Sequence, residues 1–89
     1  MDFDAQALAE DRAYGPSRAS VLRAIRELSR RHAGMPDWNG ASVEEIQQLV
    51  PFQVRFVRNA ADWLEAKGLV TAAWRRGRRR PVRVYRSIL

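Results

Sequence analysis

The pattern of apolar and polar positions predicts three helices in the middle of the chain. Apolar residues recur there every three or four positions, which is the spacing of an amphipathic helix. The predicted helices cover about residues 18–32, 43–50 and 53–67. Ser17 is the expected N-cap of the first helix, and Gly68 follows the last one as its C-cap glycine. These helices are expected to supply most of the core.

Local signals define the second helix more closely. The motif S-V-E-E beginning at Ser42 is a capping box, in which Ser42 caps the helix and Glu45 returns a hydrogen bond. Pro51 ends the helix because proline cannot continue it. The loop before the helix, residues 35–40, consists of turn-forming residues around Trp38. We expect Trp38 to fold back onto the core.

Beyond the third helix the pattern changes to that of a β-hairpin. Strands are predicted over about residues 69–75 and 81–87, joined by a turn at residues 76–78. Pro81 is compatible with this arrangement near a strand start or an edge. The predicted fold class is therefore mainly α with a β-hairpin, that is, α+β.

The chain has 89 residues, which is the size of one small domain. Residues 17–89 are expected to form that domain, preceded by an N-terminal arm or short helix over residues 1–16. We expect the acidic residues within the first eleven positions to be solvated. Residues 1–14 and the C-terminal end, Ile88 and Leu89, are the candidate surfaces for a homodimer.

Positive charge is concentrated in the last quarter of the chain. The formal net charge is +6. Residues 66–89 hold eight basic residues and no acid, whereas residues 1–65 hold eight basic and ten acidic residues. Such an asymmetry indicates a polyanionic partner, and nucleic acid is the leading candidate.

Composition argues against several other classes of protein. The chain has no cysteine, which excludes disulfide scaffolds, thiolate zinc sites and cysteine nucleophiles. His32 is the single histidine, and we expect it to be structural. No glycine-rich phosphate loop, membrane-spanning stretch or signal peptide is evident. We therefore expect a cytoplasmic protein that is not an enzyme and uses no metal or cofactor.

Two motifs resemble a known family. Glu44-Glu45-Ile46 and Leu64-Glu65-Ala66-Lys67-Gly68-Leu69-Val70 look like an E-I pair followed by L-E-x-x-G-L-V, with 22 residues from Ile46 to Gly68. This is similar to the core signature of winged helix-turn-helix DNA-binding domains of bacterial, archaeal and viral transcriptional regulators. The Gly-Arg-Arg-Arg run before the strand with Tyr85 resembles their wing. The resemblance covers roughly residues 17–87.

The resemblance implies that the helix over residues 53–67 enters the major groove, while the wing contacts flanking phosphates or the minor groove. The implied DNA-binding residues on this helix are Gln53, Arg55, Arg58 and Asn59, with Asp62 as a further candidate. Those on the wing are Arg75, Arg76, Arg78, Arg79, Arg80 and Arg83. The wing also carries Arg86.

The chain departs from the family pattern at Pro51, Phe56 and Ser87. Periodicity favours the core or an interface for Phe56 over a contact with a thymine methyl group. Arg58 has the alternative of a pair with Asp62 one helical turn away.

The function expected from these features is sequence-specific binding of double-stranded DNA by a small transcriptional regulator associated with the nucleoid. A homodimer on two half-sites would suit so small a domain. Two alternatives remain open at this point. One is a protein-interaction winged helix in a replication or transcription complex, and the other is a non-specific DNA or RNA binder.

Overall fold

The computed structural model describes the backbone of residues 2–88 and the side chains of residues 5–88. Within these residues the chain forms four helices and a three-stranded antiparallel sheet. In chain order the elements are α1 (Asp2–Tyr14), α2 (Pro16–Arg31), β1 (Ala41–Ser42), α3 (Val43–Gln47), α4 (Val54–Ala66), β2 (Val70–Arg75) and β3 (Val82–Ser87). The predicted α+β class is confirmed, and the order of elements is compatible with a winged helix.

Helix α2, which corresponds to the first of the three predicted helices, begins earlier than the sequence predicts. Gly15 is its N-cap, at a φ of 87°, and Pro16 is its first residue, so the expected N-cap at Ser17 is wrong. Proline suits that position because its fixed φ is helical and its missing N–H would have no partner there. Glu27 accepts hydrogen bonds from Arg30 and Arg31, which confirms the predicted i,i+4 pair with Arg31. These bonds lower the pKa of Glu27.

The N-terminal segment forms a helix, α1, that packs against α2. Glu10 forms an ion pair with Arg26, and its side chain is only 12% exposed. Asp11 lies 3.3 Å from the guanidinium of Arg23. The expectation that the acids of residues 1–11 are solvated is therefore wrong for Glu10 and Asp11, because each finds an arginine on α2.

The capping box at the start of α3 is confirmed. The Ser42 hydroxyl accepts a hydrogen bond from the N–H of Glu45 at 3.1 Å, and the Glu45 carboxylate accepts one from the N–H of Ser42 at 3.0 Å. The helix ends at Gln47, shorter than predicted, and a turn leads to Pro51. This box begins a helix of only five residues.

The sheet has a third strand that the sequence analysis did not predict. The two-residue strand β1 pairs with β3, and β3 lies between β1 and β2. Gly40, just before β1, has a φ of 150°, and a Cβ there would meet the Val84 side chain at 2.9 Å. A glycine at this position thus lets the loop approach β3 closely enough for the strands to pair.

The core lies between α2, α4 and the sheet. Its largest fully buried side chains are Tyr85, Leu22, Ile25, Ile46, Leu64, Val21, Val57, Val70 and Val84. Each such aliphatic side chain contributes roughly 1.5–3 kcal/mol through burial. Ala60 and Ala61 are also buried and let α4 approach α2 closely. Trp38 packs against this core, as expected. Among the described residues no helix is long and apolar enough to cross a membrane.

Candidate nucleic-acid interface

The helix α4 presents one apolar face and one polar face. Val57, Ala60, Ala61 and Leu64 are buried against the core. The predicted contact residues of this helix are all exposed on the other side: Gln53, Arg55, Arg58 and Asn59. Gln53 is the N-cap, and its side chain makes no capping hydrogen bond. The structure therefore leaves all four side chains exposed, three of them on α4 and that of Gln53 at its N-cap.

Arg58 does not form the alternative pair with Asp62. Asp62 instead accepts a hydrogen bond from the hydroxyl of Tyr85 at 2.5 Å and lies 3.7 Å from Arg83. Within the part of the chain that the structure describes, Arg58 has no ion pair. Its guanidinium is consequently available to a ligand.

Phe56 lies on the surface and not in the core. Its exposed fraction is 38%, and its ring makes an edge-to-face contact with Phe52 at 5.0 Å between centroids. The core alternative for Phe56 is thus wrong, because the helix turns this position away from α2. The interface alternative remains.

The β2–β3 hairpin ends in a connection over residues 76–81, which we call the arginine turn. Its four arginines are all exposed: Arg76, Arg78, Arg79 and Arg80. None of them forms an ion pair with a described residue. A Cβ on Gly77 would collide with the backbone carbonyl of Arg80, so the shape of the turn requires glycine there.

The two remaining predicted contact residues of the hairpin point to partners within the protein. Arg75 lies 2.6 Å from the Glu45 carboxylate, and Arg83 lies 2.8 Å from that of Glu65. Burial alone raises the pKa of Glu45, but its hydrogen bonds to Ser42 and Arg75 outweigh that effect and lower it. Arg75 and Arg83 therefore brace the hairpin against α3 and α4, with much of their charge compensated.

A groove of about 570 Å³ separates the hairpin from α4 and the start of α3. It is lined by Val43, Glu44, Arg58, Trp74, Arg80, Pro81, Val82 and Arg83. Trp74, which is 61% exposed, was not among the contact residues predicted from the sequence. Its place in the sequence could have indicated this role. Trp74 lies at the end of a predicted strand, directly before the arginine run, where a large apolar side chain is too far from the core to be buried in it.

His32 and Arg86 lie near Trp38 and do not line this groove. The Nδ1 atom of His32 lies 2.8 Å from the carbonyl oxygen of Leu28, and its ring stacks on Trp38 at 4.8 Å between centroids. Arg86 lies near the same Trp38, at the opposite end of the hairpin from the arginine turn. No group of three metal-binding side chains occurs in the described part of the chain.

No protein-family model, curated protein sequence or solved structure matches this chain.

Proposed function

We propose that this protein is a winged helix-turn-helix domain that binds double-stranded DNA in a sequence-dependent manner, as a small transcriptional regulator. One observation carries the proposal. The arginine turn, with four exposed cations and no described ion pair, flanks the same groove as the exposed polar face of α4. Association with the nucleoid in the cytoplasm would follow from that function.

In the proposed mechanism α4 enters the major groove, which is wide enough to admit a helix. Arg55 and Asn59 lie one helical turn apart on its most exposed side. Arginine can bind guanine through two hydrogen bonds, and asparagine can do the same with adenine. Base recognition is therefore assigned to these two residues, with Gln53 and Arg58 at the margins of the contact.

The arginine turn supplies most of the affinity in this mechanism. Its guanidiniums neutralise phosphates beside the major-groove contact or enter the adjacent minor groove, whose negative potential attracts arginine. Arg75 and Arg83 act mainly by holding the hairpin at its angle to α4, because Glu45 and Glu65 already pair with them. Counterion release then makes the affinity strongly dependent on salt.

The salt dependence of binding tests this assignment. Anisotropy titrations of random duplex DNA from about 50 to 200 mM salt compare the wild type with R78Q/R79Q/R80Q. The control R12Q/R30Q/R31Q removes the same charge from α1 and α2. In a plot of the logarithm of the binding constant against the logarithm of the salt concentration, we expect the turn variant to reduce the slope by about 1 per arginine. The control should leave that slope nearly unchanged. Equal effects of both variants would contradict the proposed interface.

Sequence preference tests the role of α4. After site selection on random duplexes, Arg55→Ala and Asn59→Ala should each reduce discrimination at one base position by about 1–3 kcal/mol. A uniform loss of affinity for all duplexes would instead indicate a binder of DNA or RNA without sequence preference. A titration with matched duplex RNA then distinguishes a DNA binder from an RNA binder.

The exposed Phe56 favours a second candidate function, binding of a partner protein. Phe56 contacts Phe52 and does not line the groove beside the arginine turn. The double variant V54A/F56A distinguishes the two functions. Loss of partner capture with unchanged DNA affinity would support a protein-interaction winged helix in a replication or transcription complex.

A homodimer remains part of the proposal, through the ends of the chain. Leu8 is 58% exposed on α1 and Ile88 is 51% exposed after β3. Tyr14 is half-buried, and its ring packs edge-to-face on Trp63. The side chain of Phe3 and the residue Leu89 lie outside the described part of the chain.

A further inference from the structure

We propose that the groove between α4 and the hairpin binds an unpaired nucleobase, which stacks on the indole ring of Trp74. This inference rests on the proposed nucleic-acid binding and adds a ligand class to it. The ligand is a strand with an unstacked base, as found in single-stranded DNA or at a distorted duplex site.

The position of Trp74 on the sheet places a large apolar ring in solvent. Val70, Ala72 and Trp74 are every second residue of β2, so their side chains lie on the same face of the sheet, which is the face that covers the core. The hairpin extends past the core at Trp74, so this side chain is 61% exposed, the highest value among the large apolar residues that the structure describes. Its ring thus contributes little to the core and is free to meet a ligand.

The contacts around Trp74 restrict its orientation. Arg83 lies directly opposite it in the β2–β3 register, with its guanidinium 5.4 Å from the indole centroid. Arg83 is itself held by Glu65 at 2.8 Å. The Asn39 side-chain amide donates a hydrogen bond to the Trp74 carbonyl oxygen at 3.1 Å, which anchors the end of the strand. The hydrogen bond from Asn39 holds the backbone, whereas the Arg83 guanidinium restricts the indole ring itself, so less conformational entropy is lost when a ligand stacks on the ring.

The charges of the groove fit a nucleotide. Arg58 and Arg80 line it and have no ion pair with a described residue, whereas the charge of Arg83 is compensated. Glu44 is the one acid among the described residues that line the groove. The volume of about 570 Å³ lies in the range of small-ligand sites. Two available guanidiniums beside an aromatic ring match the phosphates that flank a base.

An unpaired base is favoured over a paired one by the geometry of stacking. In a regular duplex the faces of each base are covered by its neighbours, so an indole ring has no face to stack on. An unstacked base presents a free face, and stacking on aromatic side chains is how single strands are commonly bound. The ligand is therefore assigned as an unpaired nucleotide.

The test compares W74A and W74F with the control M35A, which removes another exposed apolar side chain, in the loop between α2 and β1. The probes are single-stranded oligothymidine and a fully paired duplex of the same length. We expect W74A to weaken binding of the single strand about 5- to 150-fold, the range for loss of one base–aromatic stack. W74F should lose less affinity, M35A should lose none, and the duplex affinity of W74A should change less than about twofold.

A fluorescence measurement adds an independent readout. Oligothymidine should quench tryptophan emission of the wild type, and the quenching should disappear in W74A although Trp38 and Trp63 remain. Failure of the wild type to bind the single strand would overturn the proposal, as would an equal loss of duplex and single-strand affinity in W74A.

The two proposals fail in different ways. If the wild type does not bind duplex DNA but its single-strand affinity falls in W74A, the duplex function is wrong and the Trp74 site stands. If duplex binding depends on the arginine turn and W74A leaves both affinities unchanged, the Trp74 site is wrong and the duplex function stands.

Discussion

Tyr85 joins the sheet to α4 through a single side chain. It is fully buried on β3, and its hydroxyl donates a hydrogen bond to the Asp62 carboxylate. Burial and this bond both favour the protonated phenol and raise the pKa of Tyr85 to about 12. The family-like wing strand and the proposed recognition helix are therefore connected at a residue that no nucleic acid needs to touch.

The raised pKa predicts a loss of stability at alkaline pH. The folded state holds the phenolic proton more tightly than the unfolded state, whose value is near 10.0. The resulting contribution is fully present below pH 10 and is lost as the pH rises toward 12, on the order of 2 kcal/mol. Urea unfolding of Tyr85→Phe should show a shallower alkaline decline than the wild type and cost about 1 kcal/mol at neutral pH. If the free energy of unfolding fell equally with rising pH in both proteins, deprotonation of Tyr85 would not be the cause of the alkaline loss of stability.

At the scale of elements, the short helix α3 depends on its cap. Isolated helices below about 12–15 residues are marginal in water, and α3 has five. Ser42 caps α3 and at the same time pairs with Val84 as part of β1. Glu45 completes the capping box and binds Arg75 of the hairpin. One local motif thus connects a helix, a strand edge and the base of the hairpin.

Two substitutions separate these roles. Ser42→Ala should cost about 1–2 kcal/mol in chemical denaturation, because it removes the side-chain cap. Glu45→Gln keeps an acceptor for the Ser42 N–H but removes the charge that binds Arg75. Since the pKa of Glu45 is lowered from 4.5, its contribution is present above that value and is lost as the pH falls below it. Glu45→Gln should therefore make the fall in the free energy of unfolding at acid pH shallower than in the wild type. An unchanged pH dependence would contradict the role given to the Glu45 carboxylate.

The helices and the hairpin could be predicted from the sequence, whereas the contacts between residues distant along the chain could not. The three helices and the capping box at Ser42 rest on local signals and are present, although the helix ends are shifted; Gly68, at a φ of 77°, directly follows the C-cap Lys67 of α4. The strand β1 was missed because two residues carry no periodicity and pair only with a strand more than forty positions away. The partners of Arg75 and Arg83 were missed for the same reason, since Glu45 and Glu65 are distant along the chain.

At the scale of the whole molecule, ion pairs among the described residues compensate several arginines of α2 and leave those of the arginine turn uncompensated. Glu10 and Asp11 compensate arginines of α2, and Glu27 compensates those near its C-terminus. The arginine turn has no such partner among the described residues. Four neighbouring cations repel one another, so the folded hairpin carries a cost that a bound polyanion relieves.

Polyanions should therefore raise the melting temperature. A heparin oligosaccharide at 100 times its Kd adds about 2.7 kcal/mol to the free energy of unfolding. For a domain of this size that corresponds to a rise of roughly 10–20 °C. Sodium chloride of equal ionic strength should give a much smaller rise in differential scanning fluorimetry, and R78Q/R79Q/R80Q should lose most of the heparin effect. Equal rises in that variant and in the wild type would place the polyanion elsewhere.

The central position of β3 has a consequence for biosynthesis. The chain emerges from the ribosome with its N-terminal residues first, yet residues 82–87 supply the strand between β1 and β2. Val84 and Tyr85 of that strand are both fully buried. Until they have emerged, β1 has no neighbour, and the part of α2 that packs against β3 stays uncovered. A nascent chain stalled before residue 82 would therefore lack the strand that joins β1 to β2, and its incomplete sheet would be exposed to chaperones and proteases.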